Sequence, residues 1–288
     1  MSTTDQDPLL PPGVDLEHPS VARVYDYYLG GTANWAIDRE FGKRVLSRFP
    51  LLRPIAKANR QFLHRSVRYL VRQGVRQFVD VGSGIPTMGP THEVADELAE
   101  GTRVVYADNE PVAVAHAQML LDQEGDPRRH AAINADLRYP DRLWRQVADT
   151  GVVDLDQPVA LLLIAVLHVH QAGTHGEDVG ARSLARFREL MVPGSALAIS
   201  HITSEGVPPR LEHNLAELKQ MYDASSSSNA IWRDHTEIRE LFGDFEIVEP
   251  GLTWVPDWHP EETSPSAPAI AFGSPNESVI LAGVARKP

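Results

Sequence analysis

RQFVDVGSGIP, from Arg76 to Pro86, decides how the rest of the chain is read. Phe78, Val79 and Val81 make a short apolar strand, with Asp80 just before its end. Gly82-Ser83-Gly84 turns the backbone tightly, and a helical pattern follows from about Thr87. Glycines let main-chain N–H groups approach a ligand that a Cβ would hold off. A helix start beyond them adds unsatisfied donors and a partial positive charge. The stretch reads as a cradle for a nucleotide-like ligand.

The dinucleotide fingerprint G-x-G-x-x-G needs glycine where this chain has Thr87, and Pro86 stiffens the turn. A ligand without a pyrophosphate does not need that third glycine. The D-x-G-x-G pattern, with its acidic residue two before the first glycine, resembles the first motif of class I S-adenosylmethionine (SAM) methyltransferases. An NAD(P)-dependent oxidoreductase is disfavoured by Thr87 and stays as an alternative.

Outward from the cradle, the 288 residues fit one large domain or a domain with an appendage, and 42% hydrophobic residues suffice for a sizeable core. The chain has no cysteine, which excludes disulfides, thiolate metal sites and cysteine nucleophiles. Its start, MSTTDQDPLLPPG, has neither the basic nor the apolar region of a secretory signal, and no apolar run is long enough to span a membrane. A cytoplasmic protein is expected. The net charge of −12 makes nucleic acid an unlikely partner. From Arg39 to Arg76 the chain is strongly basic, with Glu40 the one acidic residue, and this reads as a solvated helix face.

Residues 1–17 read as a flexible arm, 18–75 as a helical cap and 76–288 as the ligand-binding core. Val21, Val24, Tyr25, Tyr28 and Leu29 line a first helix that Gly30-Gly31 stops. Ala36–Phe49 and Pro54–Gln73 are the next two, with Gly74 as a left-handed cap. Strands are expected at Gln77–Val81, Arg103–Ala107, Ala131–Ala135, Val159–Val166, Ala196–His201, Glu246–Leu252 and Ser278–Ala285. Helices are expected through Val94 to Ala99, over Pro111–Gln123, Asp178–Met191, Leu211–Met221 and Thr236–Phe242. Such alternation is the sign of an α/β sheet. Ser225–Ser228 reads as a mobile loop, and Pro256–Pro275 as irregular.

In open parallel sheets a ligand lies outside the carboxyl ends of the strands. Asp80, Asp108 and Asp136 stand at three consecutive strand ends. Asp108 suits the two hydroxyls of a ribose; alternatively it belongs to the turn Asp108-Asn109-Glu110-Pro111. Asp136 suits an exocyclic adenine amine while the Leu137 N–H meets a ring nitrogen; alternatively it caps a helix. Together the set points to a SAM-type nucleoside pocket.

VDVGSGIPT, VVYADNEPVAVAHA, INADLRYP, VPGSALAISH and SVILAGVARK resemble successive elements of a class I SAM-dependent methyltransferase. HPSVARVYDYYLGGTANWAIDREF and AKANRQFLHRSVRYL resemble something narrower, an actinobacterial SAM-methyltransferase family of unassigned acceptor. The resemblance covers roughly residues 18–288. It implies a Rossmann-like seven-stranded sheet of order 3-2-1-4-5-7-6, strand 7 antiparallel, with SAM as cofactor and methyl transfer as the activity. The expected cofactor site is Asp80, Gly82, Ser83, Gly84, Asp108, Asn109, Asp136, Leu137 and Ala165. From the cap it includes Tyr28, Gly31, Asn34 and Arg60, the last facing the methionine carboxylate; alternatively Tyr28 packs as core of the cap helix and Arg60 is a surface arginine.

Methyl transfer from a sulfonium is an in-line displacement that needs alignment, and a base only where the acceptor must lose a proton. His168, beyond the fourth strand, and His201, ending the fifth, are the candidate bases, because histidine titrates near working pH; alternatively each is a structural hydrogen-bonder. No metal is expected: His168 and His170 have no third ligand at a convincing spacing. The acceptor is expected to be a small molecule. A SAM-binding sensor without turnover is the alternative of a different class.

Overall fold

Alternation within the strands sorts the apolar side chains onto the two faces of one sheet, and helices cover both. The computed structural model describes residues 14–86, 88–225 and 229–288. Its strands are β1 (Gln77–Val81), β2 (Arg103–Asp108), β3 (His130–Asn134), β4 (Ala160–Ile164), β5 (Ala196–Ile202), β6 (Glu246–Ile247), β7 (Thr253–Trp254) and β8 (Ile280–Arg286). The helices are α1 (Val21–Leu29), α2 (Ala36–Arg48), α3 (Leu52–Arg72), α4 (Thr91–Asp96), α5 (Pro111–Glu124), α6 (Pro140–Asp149), α7 (Gly180–Leu190), α8 (Pro209–Ser225) and α9 (His235–Glu240).

The sheet order is β3-β2-β1-β4-β5-β8-β6, with β1 to β5 parallel and β8 antiparallel to β5. This is the expected order with one short strand added, since β7 also pairs with β8. The continuous edge strand expected over Glu246–Leu252 is broken. Pro250 has no N–H for the ladder, and Gly251 at φ +90° turns back so that its N–H meets Val248 O.

On one face Phe78, Val104, Leu162, Ala198 and Val284 pack under α3 and α8. On the other Val79, Val105, Leu161, Leu197 and Ile199 pack under α6 and α7. Helix α6 is one that the sequence reading passed over. Pro140 opens it, and Leu143, Trp144 and Val147 are its buried stripe.

The first 60 described residues are not a detached layer. α3 lies against the sheet, burying Ile55, Phe62, Leu63, Val67 and Leu70 in the same core as the strands. Its arginines depart from the solvated face expected of them. Arg65 is buried and donates to Trp258 O at 2.8 Å and Val255 O at 2.6 Å, while Arg68 pairs with Glu97. The loop after β7 folds over α3 and presents carbonyls that need donors, and Arg65 meets two of them. That loop is irregular apart from the short turns Val255–Asp257 and Pro260–Glu262.

Of the arm expected over 1–17, residues 1–13 lie outside the described residues, as do Ser226–Ser228 of the expected serine loop. Val14 packs beside Ile85, Val112 and Ala113, and Arg23 holds the Asp15 carbonyl at 3.1 Å. Among the described residues no helix is long and apolar enough to cross a membrane.

Candidate functional site

Parallel strands place their carboxyl ends on one edge, so β1 to β5 bring Gly82–Gly84, Asp108, Asp136, Ala165, His168 and His201 to the same side of the sheet. The register sets Val81 against Ala107 and Asp108 against Asn134.

The glycine loop works differently from the sequence expectation. Gly82 N–H donates to Ala107 O at 2.8 Å, and Gly84 N–H donates to Asp108 Oδ2 at 2.8 Å. These donors tie the loop to the end of β2. The glycines are needed for conformation and space: Gly82 has φ +65° and Gly84 φ +61°. A Cβ on Gly82 would stand 2.5 Å from a Val166 methyl, whereas one on Gly84 would meet nothing within 4 Å. Gly84 is therefore the open point of the cradle. The expected helix start at Thr87 falls on a residue outside those described, and α4 opens only at Thr91, after Gly89 and Pro90. Thr91 does reach back, donating its hydroxyl to Asp80 Oδ2 at 2.7 Å.

Asp80 is buried, and its carboxyl is raised above the usual range by desolvation, against the Thr91 hydrogen bond and the charge of Arg60. Asp108 is pushed up to about 6, mainly by burial, although Glu110 N–H and Gly84 N–H each donate to it at 2.8 Å. Each oxygen keeps a lone pair beyond those backbone bonds. Asn109 next to it is exposed. Asp136 is held by its neighbour: Arg138 Nε and Nη2 donate to Oδ2 at 2.9 and 2.6 Å. Leu137 buries its side chain, and its N–H meets no acceptor among the described residues. Ala165 follows β4 directly at φ +61°, a left-handed conformation that a residue with Cβ adopts only under constraint. Its N–H donates to Ser200 Oγ at 2.9 Å.

From the helices preceding β1, Arg60 is the residue without an internal explanation. It is 8% exposed, and its guanidinium has no hydrogen bond or ion pair among the described residues. Its charge acts on Asp80, Tyr25 and Tyr106, which places it over the end of β1. The other expected cap residues are committed to the protein. Tyr28 is core, its hydroxyl 3.0 Å from that of Tyr222. Asn34 donates to Asp26 Oδ2 at 2.7 Å and Gly31 O at 2.9 Å, and a Cβ on Gly31 would run into the Asp26 carboxylate. The G-G-x-x-N stretch folds the 30–35 loop around a buried carboxylate. Ala33 and Trp35 then pack over Ile85 and the start of α5. An open groove of about 550 Å³ runs beside them, between Gly31, Pro86, Gly89, His116 and Met119.

The two candidate bases sit together, ring centroids 5.6 Å apart. His201 is fully buried, with Nδ1 2.7 Å from Ile202 O and Nε2 2.7 Å from Arg233 Nη1. Burial, then His168, holds it well below the usual histidine range. Burial and Arg233 push His168 down to about 4. Neither titrates near neutral pH, which removes the ground on which both were singled out as bases. Sequence reading also passed over Thr91, Arg233 and Asp178. They lie far along the chain from what they hold, and no spacing marks them. Among the described residues no group of acidic or histidine side chains is arranged to hold a metal.

A SAM-type ligand has an adenosyl part and a zwitterionic tail. Among the described residues, the open backbone at Gly84, the Leu137 N–H with no acceptor, the strand-end carboxylates and Arg60 are groups of the kind that bind such parts. Comparison with known proteins agrees. A candidate methyltransferase of known crystal structure from Thermobifida fusca is 33% identical, the match covering 97% of this chain and 98% of that one with a TM-score of 0.82. A DUF574 family protein from Streptomyces avermitilis is 32% identical over 94% of this chain and 98% of its own, also at 0.82. No curated protein sequence matches the chain. The sequence model of the S-adenosyl methyltransferase family matches residues 9–288, and the chain belongs to that family, with S-adenosylmethionine as its cofactor.

Proposed function

We propose that the protein transfers the methyl group of SAM to a small-molecule acceptor, at the edge where β1, β2 and β4 end. The observation that carries the site is Arg60, a buried guanidinium with no hydrogen bond or ion pair among the described residues, whose charge acts on Asp80 near the end of β1. An unpaired buried charge is costly unless a ligand completes it. The carboxylate of the cofactor's methionine end is the matching anion. In this reading Asp108 receives the ribose hydroxyls, Asp136 and the Leu137 N–H face the adenine, and Gly82, Ser83 and Gly84 let the cofactor approach. Asn109 and Ala165 flank it. Asp80 acts through Thr91 and the loop. Tyr28, Gly31 and Asn34 shape the cap loop that covers the cofactor.

When bound, the cofactor supplies an electrophilic methyl on a sulfonium. The protein's part is to hold donor and acceptor in line and to exclude water. The NAD(P) alternative lapses with the family assignment.

Arg60→Met tests the site. Loss of a charge-assisted contact should weaken S-adenosylhomocysteine binding about 10- to 100-fold. The ligand-free protein should melt no lower, since the unpaired charge is gone. Unchanged affinity would refute this placement. Transfer of label from SAM to a small product in a metabolite extract tests turnover. Tight cofactor binding with no labelled product under any condition leaves the sensor reading in its place.

A further inference from the structure

His168 and His201 are joined to the chain by contacts that fix where each carries its proton. Arg233 Nη1 lies 2.7 Å from His201 Nε2, and a guanidinium can only donate. His201 Nε2 is therefore an acceptor, and its proton sits on Nδ1, donated to Ile202 O at 2.7 Å. Ile202 N–H in turn points at His168 Nδ1, at a long 3.4 Å. That nitrogen must accept, so the His168 proton is on Nε2. His168 Nε2 meets no group among the described residues, and the ring is half-buried at the strand edge.

The donor is held from several sides. Ala165 at φ +61° turns the chain out of β4. Ile231 N–H donates to His168 O at 2.8 Å, and His170 N–H to Asn229 O at 2.7 Å, so a short antiparallel bridge pins the backbone. Arg233 is itself fixed by Leu167 O at 2.6 Å and Asp178 Oδ2 at 2.8 Å. The charged groups around the ring are thus Arg233 and, behind it, Asp178, with neutral His201 beside them.

We propose that His168 donates a hydrogen bond through Nε2–H to an ionised oxygen of the methyl acceptor, with Arg233 as the residue that positions both rings. The inference rests on the methyl-transfer reading and adds the acceptor's chemical class: an acidic hydroxyl of phenol or enol type. A second proton on this ring would have to go to Nδ1, displacing the Ile202 N–H and setting a second cation beside Arg233. The neutral state that burial imposes keeps the donor in place across the physiological range. The acceptor's proton therefore leaves to solvent before transfer. The oxygen lone pair then forms the O–CH₃ bond as the methyl–sulfur bond breaks with its electron pair going to sulfur. The donor and the nearby guanidinium favour the ionised acceptor.

Ring-nitrogen NMR of the selectively labelled protein reads the proton positions directly. The expected result is His168 protonated on Nε2 and His201 on Nδ1. In Arg233→Met the His201 constraint is lost and its spectrum shows tautomer exchange. A merely structural arginine would leave the tautomers unmoved. With S-adenosylhomocysteine present, titration of para-nitrophenol should show binding of the coloured phenolate in preference to the phenol. H168A should lose about tenfold or more of that affinity, while H168Q, whose side chain still offers N–H, should retain most of it. A His168 proton on Nδ1, or equal phenolate binding by wild type and H168A, or none by wild type, overturns the proposal. Failure of S-adenosylhomocysteine itself to bind would instead sink the cofactor site, and the ring-nitrogen spectrum would still decide this one.

Discussion

Asp108 shows how a residue's partners change what its replacement should do. By position alone it is a carboxylate at a strand end, and Asp108→Asn looks mild because an amide oxygen still accepts. In the fold both oxygens already take backbone N–H groups, from Gly84 and Glu110. An asparagine would turn its NH₂ against one of those donors. Asp108→Ala should cost about 2–4 kcal/mol of S-adenosylhomocysteine binding, roughly 30- to 1000-fold, and Asn should come close to it. Burial pushes the carboxyl up from 3.8 to about 6 in the ligand-free protein. The raised folded-state value means that the group favours folding fully below about 3.8 and loses that contribution as pH rises through about 6. Cofactor binding runs the other way, because ribose hydroxyls donate to the ionised form. Affinity measured calorimetrically should fall as pH drops below about 6 in wild type and stay flat in Asp108→Ala. A flat wild-type profile would contradict this role.

At the scale of elements, the cradle depends on the contact between the loop after β1 and the end of β4. Gly82 at φ +65° leaves room for Val166. Gly82→Ala should destabilise by about 2–4 kcal/mol, from the left-handed backbone and the methyl clash together. Adding Val166→Ala should recover part of that, because the two sites share one space. Denaturant melts of both single variants and the double variant check it; strict additivity would mean that the methyl contact is irrelevant. A second joint is between α3 and the 255–258 loop. Arg65 there is buried enough for its guanidinium to be lowered to about 10. Arg65→Leu leaves Val255 O and Trp258 O without their donor and should cost about 2–5 kcal/mol. An Arg65→Leu protein as stable as wild type would show that other donors replace it.

For the whole molecule, the helices before β1 are fastened to the cofactor edge by buried groups. Arg23 is fully buried and pairs with Asp38 at 2.7 Å and with Glu110, beside Asp108, at 3.2 Å. Its guanidinium stacks 4.2 Å over Trp35, which packs on the glycine loop. Cofactor bound at Asp108 and Arg60 would thus link sheet and cap. S-adenosylhomocysteine at about 100 times its Kd should add about 2.7 kcal/mol to stability, a rise of roughly 5 °C in Tm. Asp108→Ala should lose most of that shift at the same ligand concentration.

The sequence by itself determined most of the order of strands and helices, α6 and β7 excepted, and through its motifs the cofactor. These depend on local signals: apolar runs of strand length, glycines at a tight turn, and acidic residues at successive strand ends. Their consequence follows from chain order, since parallel strands must bring those ends together. It also marked Arg60, though not that the guanidinium has no hydrogen bond or ion pair among the described residues. Tertiary structure alone decided which groups are already spent. Asn34, Gly31 and Tyr28 are engaged within the protein, the Gly82 and Gly84 N–H groups are tied to β2, and Arg65 of α3 is turned inward to loop carbonyls from the far end of the chain. The proton position on His201 follows from Arg233, which lies 32 residues beyond it, and that on His168 from the Ile202 N–H. Pairing across such separations is fixed by packing, and no spacing in the sequence carries it.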